Sequence, residues 1–387
     1  MPQACFKAVY MRGGTSRALI FNALDLPPEQ QKRDAIFLAA LGSPDPNRRQ
    51  LDGMGGAISS LSKIAVVGPS SRDDADVDYT FGQVAIHAPL VQYGGNCGNI
   101  SSAIGPYAVD EGLVKCVGDR ASVRIHNTNT GKIIVAEFAL EDGRAAVDGD
   151  FVLQGVAGTG APVRLAFQDP GGAATGKLFP TGAAREMVNI EGVGEIEVSM
   201  VDAANPVVFA RAADFGLTGT ELPDVIDGRA DILAQCEELR VQAALRMGLV
   251  ETERDARERM RNLPLVCLLS SPVDTTLTSG EVLPGAGVHI TARMFSAGQP
   301  HRATPLTGAL CLAASMRLPG TLAAELARVP LDLSADLMIG HPSGALPVAA
   351  RVSVGIRPWV EEAVAYRTAR RLMEGSILVP KSRLNAA

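Results

Sequence analysis

The same order of elements occurs twice along this chain, and this repetition most constrains how the chain folds. In each half a strand, a turn and a return strand come first, at residues 5–22 and again at residues 195–210. A polar turn later opens an apolar helix, at residues 94–103 and again at residues 299–312. Residue identity between the halves is low, but the order matches. The repeat predicts two equivalent domains whose helix starts face one another across a cleft.

Composition favours a mixed fold of short strands over a helical bundle. The 387 residues are 47% hydrophobic and 20% charged, which is typical of a soluble globular protein of about two domains. Forty glycines and 24 prolines, with only 4% aromatic residues, indicate many short strands and turns packed with small aliphatic side chains. We therefore predict an α+β fold.

Glycine and alanine are dense at residues 171–182, which places the domain boundary near residue 183. Residues 1–183 are predicted to form the N-terminal domain and residues 184–360 the C-terminal domain. Residues 361–387 are predicted to form a helix, at residues 364–372, and a closing strand. This last segment is expected to pack back on the N-terminal domain.

Charge, hydropathy and cysteine spacing exclude several kinds of partner. The net charge is −6 and the basic residues are dispersed, so neither nucleic acid nor a membrane surface is expected as a partner. No apolar run approaches the about 18 residues that span a bilayer, and the N-terminus lacks the pattern of a signal peptide. We therefore expect a cytoplasmic protein. The six cysteines form no Cys-x-x-Cys pair and the histidines lack metal-ligand spacing, so no metal site is expected.

Cys97 lies between glycines and asparagines where an apolar helix begins. Glycine lets the backbone approach a ligand closely, and the free N–H groups at a helix start bind carboxylates. A thiol at such a helix start suits proton transfer or nucleophilic attack, because negative charge is stabilised there. The alternative is a helix cap that holds a small buried residue.

Two other segments carry related chemistry. Residues 11–17 form a turn with two arginines, two hydroxyls and glycine amides, a set of donors that binds carboxylate or phosphate. A solvated hairpin tip explains this segment equally well. Lys63 follows the glycine-rich loop at residues 52–57 and enters a β-branched, buried strand. It is either an edge-strand residue that prevents aggregation or a functional amine, and the residues alone favour the edge strand.

Eight ordered segments that span nearly the whole chain carry a shared set of motifs, at residues 11–16, 52–56, 62–63, 95–99, 176–182, 204–206, 301–309 and 340–344. In these segments the chain resembles the PrpF-like isomerases, which have the diaminopimelate-epimerase-like fold. This resemblance implies two pseudo-symmetric domains, each a mostly antiparallel sheet curled around a central helix, with the active site in the inter-domain cleft. It also implies an isomerase that moves a double bond by a 1,3-proton shift in a small unsaturated di- or tricarboxylate, such as 2-methylaconitate, aconitate, 3-methylitaconate or 4-oxalomesaconate. No cofactor is implied.

The resemblance assigns the proton transfers to Lys63 and Cys97, which reverses the edge-strand interpretation of Lys63. Which of the two abstracts the proton is open, and we expect Lys63 to be the base with Cys97 serving the second transfer. The same segments supply the expected substrate-binding residues, which are Arg12, Thr15, Ser16, Arg17, Gly55, Gly56, Asn96, Gly98, Asn99, Asn205, His301, Arg302, Thr307, Gly308, His341 and Ser343.

Other functions fit the same residues less well. A racemase or epimerase on this fold is the main alternative, but related epimerases carry a second cysteine at the second-domain helix start. Here that turn holds residues 301–307, and Cys311 lies a turn further into the helix. A cysteine hydrolase would need a base and an orienting acid for Cys97, and a non-catalytic carboxylate-binding protein would not require Lys63 in a buried strand. We expect a homodimer or a homotetramer.

Overall fold

The computed structural model describes residues 3–333, 335–355 and 357–384. The chain forms two compact units, one made of Met1–Ala166 with Tyr366–Ala387 and the other of Phe167–Ala365. The domain boundaries near residues 183 and 360 stay predictions, and the last three residues of the predicted C-terminal segment lie outside the described residues.

Helices are few and mostly short. Four 3-10 turns lie at Ala23–Asp25, Ser59–Leu61, Ala212–Phe215 and Gly285–Gly287 in the described ranges. The α-helices are α1 (Gln30–Leu41), α2 (Gly98–Asp110), α3 (Pro223–Asp227), α4 (Ala230–Arg246), α5 (Glu253–Glu258), α6 (Leu306–Arg317), α7 (Leu322–Leu326) and α8 (Lys381–Leu384).

Strands dominate both units. In the first part of the chain they are β1 (Gln3–Gly13), β2 (Ser16–Asn22), β3 (Lys63–Pro69), β4 (Val77–Val84), β5 (Val91–Gln92), β6 (Arg120–Asn127), β7 (Lys132–Glu141), β8 (Arg144–Ala145), β9 (Phe151–Val152), β10 (Thr159–Gly160) and β11 (Pro162–Gln168). They continue with β12 (Glu186–Ile190), β13 (Gly194–Ala203), β14 (Asn205–Arg211), β15 (Leu265–Ser270), β16 (Thr275–Thr276), β17 (Val282–Leu283), β18 (Ile290–Ser296), β19 (Gln299–Pro300), β20 (Leu337–His341), β21 (Gly344–Ser353) and β22 (Trp359–Pro380).

The predicted internal repeat is confirmed by the order of strand pairing within each unit. In the first unit β1 pairs antiparallel with β2, β2 parallel with β3, β3 antiparallel with β4, β4 parallel with β6 and β6 antiparallel with β7. In the second unit β13, β14, β15, β18, β20 and β21 pair in the same sequence of directions. The predicted α+β class is therefore confirmed, with antiparallel pairs in the majority.

Each unit has one deeply buried helix on one face of its sheet. Every residue of α2 from Ile100 to Val109 is buried, and every residue of α6 except Thr307 is buried. In the second unit, β15 and β18 pack their alternate apolar residues against α6. On the opposite faces, α1 packs on β2 and β3, and α4 packs on β14 and β15. Because side chains alternate along a strand, the register decides which residues face the buried helix.

The helix predicted at residues 364–372 is wrong, because this segment lies within β22. The register pairs β1 with β22 from Gln3 opposite Pro380 to Gly13 opposite Ala369. Glutamate, alanine, arginine, leucine and methionine are frequent here and favour a helix locally. Pairing prevails over this preference because β22 supplies hydrogen-bond partners to a strand that would otherwise have a free edge.

Candidate functional site

Lys63 opens β3, which lies between β2 and β4 in the first unit. The edge-strand interpretation of Lys63 is therefore wrong. Its Nζ donates a hydrogen bond of 2.6 Å to Gln83 Oε1 and lies 5.0 Å from the centre of the Phe81 ring. Lys63 is only 8% exposed, and no carboxylate in the described part of the chain forms an ion pair with it. Its amine is thus held by a neutral amide and an aromatic face.

Gln83 was not among the residues predicted for the site. Its Nε2 donates to the backbone oxygens of Ser59, at 3.1 Å, and Ser62, at 2.8 Å. These two bonds fix the amide so that its oxygen faces Lys63. Tyr79, Phe81 and Gln83 are spaced two residues apart in one strand, so their side chains face the same side of the sheet. A polar residue on that side was the available signal for Gln83.

A buried glutamine braces the loop before β3. Gln50 donates through Nε2 to Ser43 Oγ at 2.9 Å and Ser62 Oγ at 2.7 Å, and its Oε1 accepts from the Ala57 amide at 2.8 Å. Gly55 lies so close that a Cβ there would be 2.4 Å from the Gln50 side chain. The geometry therefore explains Gly55 by close packing, and its substrate role stays a prediction.

Cys97 is the N-cap residue of α2, so the predicted helix start is confirmed. Its backbone oxygen accepts from the Ser101 amide at 2.9 Å and from Ser101 Oγ at 3.1 Å. The thiol makes no capping hydrogen bond, and the residue is partly exposed. The cap is thus formed by backbone, which leaves the sulfur available for chemistry.

Register places Lys63 and Cys97 on the same side of the first unit's sheet. Tyr79 lies four residues before Gln83 on β4, so its side chain faces the same way as those of Gln83 and Lys63. The Tyr79 phenol is fully buried near Cys97. Burial raises the pKa of Tyr79 well above its usual value, and the negative charge of a Cys97 thiolate adds a smaller increase. Ile64, next to Lys63, faces α1 instead.

Three polar side chains link the first hairpin, the α2 start and β22. Asn99 Nδ2 donates to Thr15 Oγ1 at 3.1 Å, and Arg367 Nε donates to Asn99 Oδ1 at 3.1 Å. Arg367 is only 6% exposed. Burial lowers the pKa of Arg367 to about 10, and a nearby Cys97 thiolate opposes that shift. Arg367 was not predicted for the site, because the local composition of its segment indicated a helix.

Arg12 and Arg17 face away from α2. A Cβ at Gly13 would point into α2, at 2.6 Å from Asn99 O, so the preceding residue Arg12 projects to the other face. Arg17 pairs with Arg12 across the hairpin, and its guanidinium lies 5.6 Å from the centre of the Tyr10 ring. Arg12 Nη1 itself donates to backbone and side-chain oxygens of residues 14 and 368. The structure does not bring these two arginines to Cys97.

The second unit brings two predicted turns together. Ser343 Oγ donates to the backbone oxygen of Arg302 at 2.5 Å, and the Ser343 amide donates to His341 Nδ1 at 3.2 Å. The Arg302 guanidinium, however, donates to Asp224 at 2.7 Å on the adjacent α3. His301 Nε2 lies 2.7 Å from Ser296 Oγ, and burial lowers the pKa of His301.

Helix α6 begins after the N-cap residue Pro305, so Thr307 lies in its first turn rather than at the cap position that matches Cys97. Gly308 packs against Met294, and a Cβ at this position would lie 2.5 Å from the methionine sulfur. Cys311 is fully buried, and its Sγ donates to the Val201 backbone oxygen at 3.4 Å.

The remaining predicted residues keep positions near these elements. Asn96 Oδ1 accepts from Ser101 Oγ at 3.2 Å, and Gly98 is the first residue of α2. Ser16 is buried at the start of β2, Asn205 opens β14, and Gly56 packs against Leu61.

Clusters of metal-ligating side chains and long apolar helices are both absent from the described ranges. Within them, no group of three or more histidine, cysteine, aspartate or glutamate side chains is arranged to hold a metal ion. None of the helices described combines the length and the hydropathy that a bilayer crossing requires.

Together the fold and the site define an α+β protein with an internal repeat, in which a buried amine and a partly exposed thiol lie on the same side of one sheet. The chain belongs to the PrpF family, since the family model described as PrpF protein matches residues 3–380. The family predicted from the sequence is thus confirmed.

Curated relatives and solved structures agree with this assignment. The chain is 44% identical to 3-methylitaconate isomerase of Eubacterium barkeri over 97% of both chains. It is 38% identical to 2-methyl-aconitate isomerase of Shewanella oneidensis over 98% of both chains. A crystal structure of methylitaconate-delta-isomerase matches with a TM-score of 0.95 and 43% identity, covering 100% of this chain and 98% of that one. The predicted enzyme class, an isomerase, is therefore confirmed.

A more distant structure bears on the fold alone. A hydroxyproline epimerase from Agrobacterium vitis matches with a TM-score of 0.50 and 12% identity, covering 97% of this chain and 93% of that one. The predicted epimerase-like fold is therefore confirmed.

Proposed function

We propose that this protein catalyses a 1,3-allylic proton shift in a small unsaturated di- or tricarboxylate, without a cofactor. The two curated relatives are named for 3-methylitaconate and 2-methylaconitate, which are acids of this kind. Two side chains together support the proposal most. Lys63 is buried with no counter-ion among the described residues, and the Cys97 thiol makes no capping hydrogen bond at the start of α2.

The reaction then needs two proton transfers. The Lys63 amine removes a proton from the carbon next to the double bond, and the electrons of that C–H bond form the new double bond. The old double bond opens, and its far carbon takes a proton from the Cys97 thiol. Negative charge builds on the conjugated carboxylate between the two steps, and the free N–H groups at the start of α2 stabilise it. Proton exchange with solvent restores both groups.

Substrate binding in the first unit is proposed for the predicted residues nearest to Cys97. Thr15 and Asn99 are hydrogen-bonded to each other, and Asn96 and Gly98 flank Cys97. Backbone amides and side-chain amides of this kind are good donors to a carboxylate. The substrate-binding roles of His301, Thr307, His341 and Ser343, which belong to the second unit, stay predictions.

Racemisation by two opposed cysteines receives no support from the second unit. Cys311 is fully buried and donates its S–H to a backbone oxygen. Burial raises the pKa of the Cys311 thiol, so this group is a poor base. Thr307, the partly exposed residue in the first turn of α6, has no acid–base chemistry near neutrality.

Turnover of a panel of acids tests the proposal. The purified protein is incubated in D2O with 2-methylaconitate, aconitate, 3-methylitaconate and 4-oxalomesaconate, and each mixture is followed by proton NMR. A shifted double bond together with deuterium incorporation supports the allylic isomerase. Deuterium at one stereocentre with no shift of the double bond would indicate an epimerase, and no exchange in any acid would refute both.

Two further features belong to the proposal. We propose a cytoplasmic enzyme, and we propose that it works as a homodimer or a homotetramer, because symmetric assemblies of these sizes are common among soluble enzymes. Light scattering coupled to size-exclusion chromatography measures the mass of the assembly. A mass close to the 40.4 kDa of one chain would contradict the oligomer.

A further inference from the structure

Besides Lys63, the arginine Arg367 of the first unit is buried without an anionic partner among the described residues. Arg367 is 6% exposed, and no carboxylate in the described ranges forms an ion pair with it. Its guanidinium donates to neutral oxygens, through Nε to Asn99 and through Nη1 to the backbone of Tyr366. A buried charge is costly unless an opposite charge or a full set of hydrogen bonds compensates it. The burial of Arg367 therefore calls for an anion that these residues do not supply.

Strand register shows where that anion would lie. Along β22, Thr368 bonds to Arg12 on one face of the sheet, whereas Arg367 reaches Asn99 on the other face, where α2 begins. Arg370 lies opposite Arg12 in the register and is exposed. Of these arginines, Arg367 is thus the one that shares a face with Cys97.

We propose that Arg367 is a further substrate-binding residue, which binds one carboxylate of the substrate beside the start of α2. This inference rests on the proposed function. A guanidinium has five N–H donors, and the contacts with Asn99 and Tyr366 use two of them. The remaining donors suit the paired oxygens of a carboxylate, which arginine binds with two parallel hydrogen bonds. Asn99 orients the guanidinium and is itself held by Thr15.

A purely structural role makes a different prediction. If Arg367 served only to hold Asn99, its loss would weaken the binding of every ligand to the same degree, because the whole helix start would be displaced. If Arg367 binds a carboxylate, its loss must matter most for a ligand that has the carboxylate in question. The losses of binding free energy caused by removing the residue and by removing the carboxylate would then be non-additive.

The experiment measures this coupling by isothermal titration calorimetry on the full-length protein. Tricarballylate is compared with glutarate, which lacks the central carboxylate, and with methylsuccinate, which lacks a terminal one. Each is titrated into the unchanged protein, into Arg367→Gln, and into Arg370→Gln as the matched control on the same strand. We expect Arg367→Gln to weaken tricarballylate about 10- to 100-fold. For one of the two dicarboxylates the loss should be less than about 3-fold, and Arg370→Gln should leave all three affinities unchanged.

Each outcome decides the inference. Equal losses of affinity for all three acids, or no loss, would overturn the role of Arg367 alone, provided that the wild-type protein binds tricarballylate and isomerises one of the four unsaturated acids. If the wild-type protein neither binds tricarballylate nor isomerises any of those acids, the proposed function and this inference are both overturned. If Arg367→Gln does not fold, Arg367→Lys keeps the charge but loses the paired donors. About 10-fold weaker tricarballylate binding is then expected, and unchanged binding would overturn the inference.

Discussion

Replacing Gln83 by glutamate puts a negative charge where a neutral amide oxygen now contacts Lys63. The amide oxygen lies 2.6 Å from Lys63 Nζ, and at that distance opposite unit charges attract by about 6 kcal/mol at an effective dielectric constant of about 20. Desolvation of the new carboxylate offsets part of this. The expected net effect is a shift of the pH profile of activity by about 1–3 pH units, which is the size of shift that an adjacent opposite charge produces.

The sign follows from the charges. A carboxylate at position 83 favours the ammonium form of Lys63, so the neutral amine that acts as a base forms only at higher pH. The limb of the profile of log kcat/KM against pH that depends on Lys63 therefore moves to higher pH in Gln83→Glu. Activity at pH 7 should fall by about 10- to 1000-fold and recover as the pH rises.

The assay is the initial rate of isomerisation over a range of pH, with the thermal midpoint of unfolding recorded to confirm the fold. Gln92→Glu is the matched control, because Gln92 is exposed on β5 directly opposite Gln83. Its charge is screened by water, so its profile should move by less than about 0.5 pH unit. A loss in Gln83→Glu that is equal at every pH, or no loss at all, would refute the role of Lys63 in proton transfer.

Substitutions at three other side chains have further testable outcomes. Gln50→Ala removes the donor to the Ser43 and Ser62 hydroxyls and leaves the Ala57 amide without its acceptor, so thermal or denaturant unfolding should show a loss of about 1–3 kcal/mol in the free energy of unfolding; unchanged stability would contradict this. Cys311→Ala removes a thiol that is sealed in the core, so kinetic assays should give kcat close to that of the unchanged protein, and a loss as large as that of a Cys97 variant would revive the two-cysteine mechanism. Burial lowers the pKa of His301 in the folded state, so the unfolded state takes up the proton first and stability should fall as the pH drops below about 6.5. His301→Asn should reduce this acid sensitivity in denaturant titrations at several pH values, and an identical slope would exclude His301 as its source.

Local signals in the sequence predicted the elements whose pattern is self-contained. The hairpin at the N-terminus and the helix that starts after Cys97 are both as expected. In each case turn or cap residues lie within a few positions of the element that they define. The second hairpin, formed by β13 and β14, likewise matches the strand, turn and return strand expected at residues 195–210.

Features that depend on distant pairing were not accessible in the same way. The strand that contains Arg367 has the composition of a helix, and only its pairing with β1 makes it extended. Arginine is a residue type suited to an anion site, but strand alternation turns Arg12 away from α2. Lys63 was favoured as an edge residue because the sequence does not show that β3 lies between two partners.

The same difference between local signals and distant pairing applies to the residues of the candidate site. Residue types and glycine spacing at one helix start indicate Cys97, whereas Asn99 is expected from the family resemblance. Gln83 was missed, since its role depends on a cross-strand contact with Lys63 that register alone creates. Contacts across a sheet are set by tertiary structure and carry little trace in a single sequence.

The central claim is that Lys63 and Cys97 act as one proton-transfer unit. The most direct test is kcat of Lys63→Met, Cys97→Ser and the double variant, measured on an acid that the unchanged protein isomerises, with the fold checked by circular dichroism. Each single change should lower kcat by about 10²–10⁴-fold, with a much smaller effect on the Kd of tricarballylate. The double variant should be little worse than the poorer single variant, because losses within one unit are not additive. Substantial turnover in folded Cys97→Ser at neutral pH, or losses that multiply in the double variant, would contradict the account.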